Sequence, residues 1–194
     1  PGSKNVRHDF NWLVKQGWQQ AIEKHLRYGG KLIGICGGFQ MLGKKIHDPL
    51  DLEGQAGSTT GLALLDFETT LEKDKKLTRV KGKLSFDNAH VNGYEIHMGE
   101  SHGQALSHPA ILFNEHPYNQ KIDGALSTDN LILGTYLHGL FENQASCNSL
   151  LQWAGLQHPE TPDYQQIRES EINRLVQMME QHLDITEISQ VLFQ

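Results

Sequence analysis

The run Leu32-Ile33-Gly34-Ile35-Cys36-Gly37-Gly38 constrains this chain more than any other segment. Lys31 to Ile35 reads as a short buried strand running straight into the glycine turn, and a helix follows from about Gly38 to Lys45. Strand, tight turn and helix is the unit from which parallel α/β sheets are assembled. Such a turn pushes its central side chain outward, and the flanking glycines let a substrate come close to the backbone. A helix N-terminus after Cys36 favours the thiolate. The amide of Gly37 is placed to face an oxyanion formed during acyl transfer. A lone cysteine is more often a buried structural residue, but the glycine setting turns the reading of Cys36 toward a nucleophile.

The remaining pattern predicts one α/β domain over residues 1–194. A first helix is expected from an Asp9 N-cap to Tyr28, with Leu13, Val14, Trp18, Ala21, Ile22 and Leu26 at helical spacing and Gly29-Gly30 as its stop. Gly17 lies inside that span and implies close packing there. Residues 47–61 read as a long loop rich in Asp, Gly, Ser and Thr, of a length that tends to be functional. Covering a substrate or touching a partner domain are its expected roles, with a plain surface excursion as the alternative. Apolar stretches at Leu62 to Phe67, Val80 to Phe86, His90 to Met98, Ala110 to Phe113 and Leu131 to Leu137 include several strands. Helices are expected over Cys147 to Trp153 and from Asp163 to His182. In the last, Ile167, Ile172, Leu175, Val176, Met179 and Leu183 should form one buried face.

Composition excludes several classes. The 17 basic and 23 acidic residues of this 194-residue chain give a net charge of −6. That argues against a nucleic-acid surface, which needs clustered Lys and Arg. No apolar run approaches the roughly 20 residues of a membrane span, and no signal peptide is apparent. With only Cys36 and Cys147 there is no disulfide scaffold, and a reducing cytoplasm is the expected location. Neither a Cys-x-x-Cys pair nor a His-Glu-x-x-His unit is present, so no metal site is expected. Gly82-Lys83-Leu84-Ser85 does not make a P-loop by spacing or residue, so no nucleotide cofactor is expected in this domain. The chain opens Pro1-Gly2-Ser3-Lys4 without an initiator methionine, so the opening of the domain is expected to be missing.

A cysteine nucleophile needs a base, and eleven histidines compete for that role. His138 ends the apolar run Leu131 to Leu137, and functional groups in parallel sheets gather at strand carboxyl ends. His97 sits in Gly93-Tyr94-Glu95-Ile96-His97-Met98-Gly99, where Glu95 and His97 share one strand face. For His97 a packed strand residue and a functional one are evenly matched.

The quoted segments resemble the glutamine amidotransferase domains of the cobyric acid synthase family. The match rests on Pro1-Gly2-Ser3-Lys4-Asn5, on Gly34 to Gly43, on Gly93 to Gly99, and on Gly134-Thr135-Tyr136-Leu137-His138-Gly139-Leu140-Phe141. Asp48-Pro49, Glu53-Gly54 and Gly61 to Leu65 fall where the family has similar residues, and the likeness fades after about residue 155. The resemblance implies a class I, flavodoxin-like α/β fold: a mostly parallel central sheet flanked by helices, here without its N-terminal strands. It implies that the Cys36 thiolate attacks the side-chain amide of glutamine while His138 manages the protons. Gly37 with the Gly2-Ser3 backbone would line the oxyanion hole, and Gln40 would help hold glutamine. It further implies a separate N-terminal synthetase domain as partner, which uses ATP and Mg2+ to amidate a corrinoid, adenosylcobyrinic acid a,c-diamide.

Related glutaminases carry a glutamate two residues after the histidine; here that residue is Leu140, as in the cobyric branch. Glu95 and Glu142 are candidate substitutes, each more simply a structural or surface carboxylate. Three alternatives stand beside the leading one: a cobyrinic acid a,c-diamide synthase-type glutaminase, a cysteine hydrolase acting on another amide or ester, and a silent docking domain of the same fold.

Overall fold

The computed structural model describes residues 1–185, 188 and 190, with backbone alone for Lys75, Lys76 and Glu115. It opens with two helices, α1 (Val6–Lys15) and α2 (Trp18–Arg27), where the sequence predicts one. Gly17 has φ +80°, a left-handed conformation that stops α1. A Cβ on Gly17 would meet only the Gln20 side chain, so the expected close packing is absent and the glycine serves the turn instead. The cap is Asn5 rather than Asp9: its Oδ1 accepts the His8 N–H at 3.0 Å.

The predicted strand and helix at the centre are β1 (Leu32–Ile35) and α3 (Gly37–Leu42). Next come β2 (Lys45–Asp48), β3 (Gly57–Thr60), β4 (Glu68–Leu84), β5 (His90–His102), β6 (Ile111–Glu115), β7 (Ile122–Asp123), β8 (Ala125–Leu126), β9 (Ile132–Thr135) and β10 (Leu137–His138). Helices α4 (Gln144–Trp153) and α5 (Tyr164–His182) follow. The α/β class is as expected, and the pairing within it is mixed. Among the described strands β1–β9 and β2–β4 are parallel, and the other ladders are antiparallel.

Two further expectations change. Residues 47–61 are not one long loop: β2 and β3 pair antiparallel, and the segment between them is anchored on buried Asp48. Asp48 accepts the N–H groups of Leu52 at 2.8 Å and Glu53 at 2.9 Å. Arg7 of α1 reaches Asp48, Thr59 Oγ1 and the Gln55 carbonyl, fastening this hairpin to the first helix. Leu62 to Phe67 is no strand. Leu62 N–H donates to Met41 O at 2.8 Å and Leu64 N–H to Leu42 O at 2.9 Å, so this segment satisfies the terminal carbonyls of α3.

Three apolar clusters hold these parts. Val80, Leu84, Val91, Ile111, Leu133, Leu137, Leu140 and Leu150 pack between the long β4–β5 ladder and α4. Phe39, Phe67 and Tyr136 join α3 to β9. Val6, Phe10, Met41, Ile46 and Leu71 seat α1 on α3 and β2. Helix α5 joins none of them. Its expected buried face is exposed throughout, with Ile172, Leu175 and Met179 all 42–52% accessible.

Candidate active site

Adjacent parallel strands bring their carboxyl ends to one place. Gly34 pairs with Gly134 and Ile35 with Thr135, and the ladder continues as Cys36 N–H donates to Thr135 O at 2.8 Å. Beyond Thr135 the chain crosses at Tyr136 from the β1-β9-β8 sheet into β10 of the larger sheet. Cys36 therefore follows β1, and His138 stands three residues beyond the end of its neighbour β9. This is where open α/β sheets carry their chemistry.

Cys36 has φ 55° and ψ −114°, a sparsely populated conformation for a residue with a Cβ. Such strain costs on the order of 1–3 kcal/mol and persists only when surrounding packing fixes it. The packing is visible: a Cβ on Gly34 would lie 2.6 Å from Leu42 Cδ1 and 2.8 Å from Gly38 O. The backbone crossing is tight enough that only glycine fits there.

Cys36 Sγ donates to Ile96 O at 3.2 Å, and His138 Nε2 lies 3.3 Å from the same carbonyl. The first residues close the site from the other side. A Cβ on Gly2 would be 3.3 Å from His138 Cε1 and 3.9 Å from Cys36 Sγ. Gly38 N–H donates to Pro1 O at 2.9 Å, and a Cβ on Gly37 would meet Ser3 N at 3.0 Å. Cys36, His138, Gly37, Gly2 and Ser3 are thus brought together. Gln40 is buried on α3 with Nε2 donating to Met98 O at 3.1 Å and to Tyr136 Oη at 3.4 Å.

The other candidates lie elsewhere. Glu95 and His97 project from β5 into the interior, where Glu95 sits between His97 and His116. Glu142 is exposed beside Gly139. Leu140 is buried in the apolar cluster. Among the described residues no carboxylate hydrogen-bonds the His138 ring. Nor do three His, Cys, Asp or Glu side chains converge as a metal cage there, and no described helix is long and apolar enough to cross a membrane.

Several residues at the site had no sequence signal of their own. Arg79 pairs with Tyr94, and Tyr94 with His138, so the three form a row on one sheet face. Arg79 donates to Tyr94 Oη at 2.8 Å and its guanidinium lies 5.3 Å from that ring. Arg79 and Tyr94, with Glu142, border a groove of about 290 Å3. Only the strand register, which depends on partners far apart in sequence, assembles this row. Asp123 was missed for the same reason. It is buried, accepts from the Thr135 hydroxyl and takes the Tyr136 N–H at 3.1 Å, holding the crossover between β9 and β10.

The family model for the CobB/CobQ-like glutamine amidotransferase domain matches residues 1–146, which include β1 to β10 and every residue of the site just described. That family supports glutamine hydrolysis with glutamine as amido donor, and this chain belongs to it.

Proposed function

We propose that this chain is the glutaminase part of an adenosylcobyric acid synthase, hydrolysing glutamine through Cys36 and His138. The observation that carries the reading is the convergence of Cys36 Sγ and His138 Nε2 on one carbonyl, Ile96 O. In this resting arrangement the thiol proton rests on that carbonyl, and a neutral ring protonated on Nδ1 keeps Nε2 bare. Reaction begins when the thiol turns to an unprotonated Nε2 and passes its proton to His138. The thiolate then attacks Cδ of the glutamine side chain, and the carbonyl π electrons move onto oxygen. That oxyanion faces the backbone of Gly37 and of Gly2-Ser3. Collapse expels ammonia, which takes the proton from His138 and leaves a γ-glutamyl thioester on Cys36. Water, deprotonated by His138, hydrolyses the thioester to glutamate and restores the thiol.

The groove at Tyr94, the strand partner of His138, suits the other end of the substrate. Arg79 offers a cation for the α-carboxylate and Glu142 an anion for the α-ammonium group. Gln40 supports α3 against β5 and Tyr136. Ammonia leaves for an ATP- and Mg2+-dependent synthetase domain, which amidates a corrinoid carboxylate. The cobyric rather than cobyrinic assignment is supported by the Pro1-Gly2-Ser3-Lys4 opening, by Met41-Leu42-Gly43 and by Leu140.

The test is glutamine-dependent ammonia release by the wild-type chain beside Cys36→Ala and His138→Ala. Each substitution should lower the rate by about a thousandfold or more. Wild-type activity that survives in Cys36→Ala would overturn the assignment. Arg79→Ala should raise KM for glutamine about tenfold, the loss of one charge-assisted contact.

A further inference from the structure

Behind the thiol–imidazole pair, on the opposite face of β5, lies a buried polar cluster that the proposed chemistry does not use. Glu95 is 1% exposed. Its Oε1 lies 2.7 Å from His97 Nε2 and its Oε2 lies 2.8 Å from His116 Nε2. The second nitrogen of each ring decides where the protons are. His116 Nδ1 accepts the Tyr118 N–H at 3.2 Å, so that nitrogen is bare and Nε2–H donates to Glu95. A neutral imidazole satisfies both bonds. His97 differs, because its Nδ1 lies 3.0 Å from Gly99 O, which can only accept. Both its nitrogens face acceptors. As long as Glu95 is a carboxylate, His97 carries a proton on each and is a cation.

The surroundings favour the carboxylate. Burial by itself would raise the Glu95 value, but the hydrogen bonds from His97 and His116 outweigh it and hold Glu95 below the ordinary glutamate range. The Tyr136 ring stacks on His97 with centroids 3.9 Å apart and planes 17° from parallel, an arrangement that suits a cationic imidazole. Asp123 is a further acidic group close enough to interact with both Glu95 and His97.

We propose that Glu95 and His97 form a buried ion pair that positions the Cys36–His138 pair through β5 and β10. Ile96, the residue between them, presents the carbonyl that meets both Cys36 Sγ and His138 Nε2. Leu137, paired with Glu95, directly precedes His138. Tyr136, stacked on His97, takes the Gln40 amide. The ion pair is thus one residue removed from the groups that meet Cys36, His138 and Gln40. Glu95 touches no reacting atom and is a positioning residue. Its charge state follows from the hydrogen bonds alone; its consequence for turnover rests on the glutaminase reading.

The experiment begins with 15N-resolved imidazole NMR of the wild-type chain at neutral pH. His97 should show protons on both nitrogens and His116 on Nε2 only. In Glu95→Gln, His97 should lose one ring proton. The kcat for ammonia release should fall at least about tenfold while KM stays within about twofold, since a displacement of about 1 Å can cost a hundredfold in rate. Alkylation of Cys36 by iodoacetamide should slow in parallel. His116→Gln, which keeps a donor to Glu95, should retain the His97 cation and lose less than about threefold in kcat. A neutral His97 in the wild type overturns the proposal whether or not either variant folds. So does Glu95→Gln with unchanged kcat and unchanged Cys36 alkylation. Absence of ammonia release from the wild type would instead count against the glutaminase reading, with the NMR and alkylation results still deciding on the ion pair.

Discussion

Asp123 is a residue whose chemistry the fold distorts strongly. Burial is the largest influence on it and lifts its carboxyl from 3.8 to about 6, despite hydrogen bonds from Thr135 and the Tyr136 backbone. Between those two values the folded chain holds a proton that the unfolded chain has released. Stability therefore declines as pH rises from about 4 to about 6, and the deficit persists above that window. A shift of about two units corresponds to about 3 kcal/mol. Asp123→Asn keeps the shape and an acceptor for Tyr136 without an ionisable group. Urea unfolding of both chains at several values between pH 4 and 7 should show wild type losing ground to the variant by up to that amount. A constant difference across the range would contradict this account. The asymmetry in what could be read from sequence has a physical basis. Cys36 and His138 are announced by neighbours in the chain, a glycine turn and a strand end. Asp123, His116 and Arg79 draw their roles from partners 12 to 21 positions away or from strand register, which local pattern does not encode.

At the scale of elements, the turn after β1 is tightly built. Gly34→Ala would press a methyl against Leu42 and the Gly38 carbonyl. The side chain can move but the backbone cannot, so a loss of about 1–3 kcal/mol is expected in thermal or urea unfolding. Helix α5 gives the opposite expectation. Its amphipathic spacing reads as a core face, yet no described residue of it is buried. Periodicity reports that a helix has an apolar side, not that this chain supplies something to cover it. Ile172→Lys and Leu175→Glu should each change stability by less than about 0.5 kcal/mol, as for surface sites. A cost above about 2 kcal/mol would show the face to be packed. The same limit explains the first helix. Thirteen residues on from Lys4, Gly17 looks like a tolerated helical glycine, and only its left-handed backbone marks the break into α1 and α2. The β2–β3 hairpin was hidden because Asp48, a single buried carboxylate, organises a segment whose composition reads as loop.

For the whole molecule, function follows from where two sheets meet. The parallel β1–β9 ladder sets Cys36 beside the end of β9, and the Tyr136 crossover carries the chain onto β10 to deliver His138. The opening residues then lie across both. The α/β class was legible from the strand–turn–helix unit. The predominance of antiparallel ladders was not, since alternation along a strand does not name its neighbour. On the proposed glutaminase reading one thiol, Cys36, is activated for glutamine while Cys147, a partly buried thiol on α4, is not. Labelling with a chloromethyl ketone of glutamine shape, mapped by peptide mass spectrometry, tests this most directly. One label per chain is expected on Cys36, slowed by free glutamine and by His138→Ala, with Cys147 unmodified. Equal labelling of the two cysteines, or labelling of Cys36 that glutamine does not slow, would contradict it.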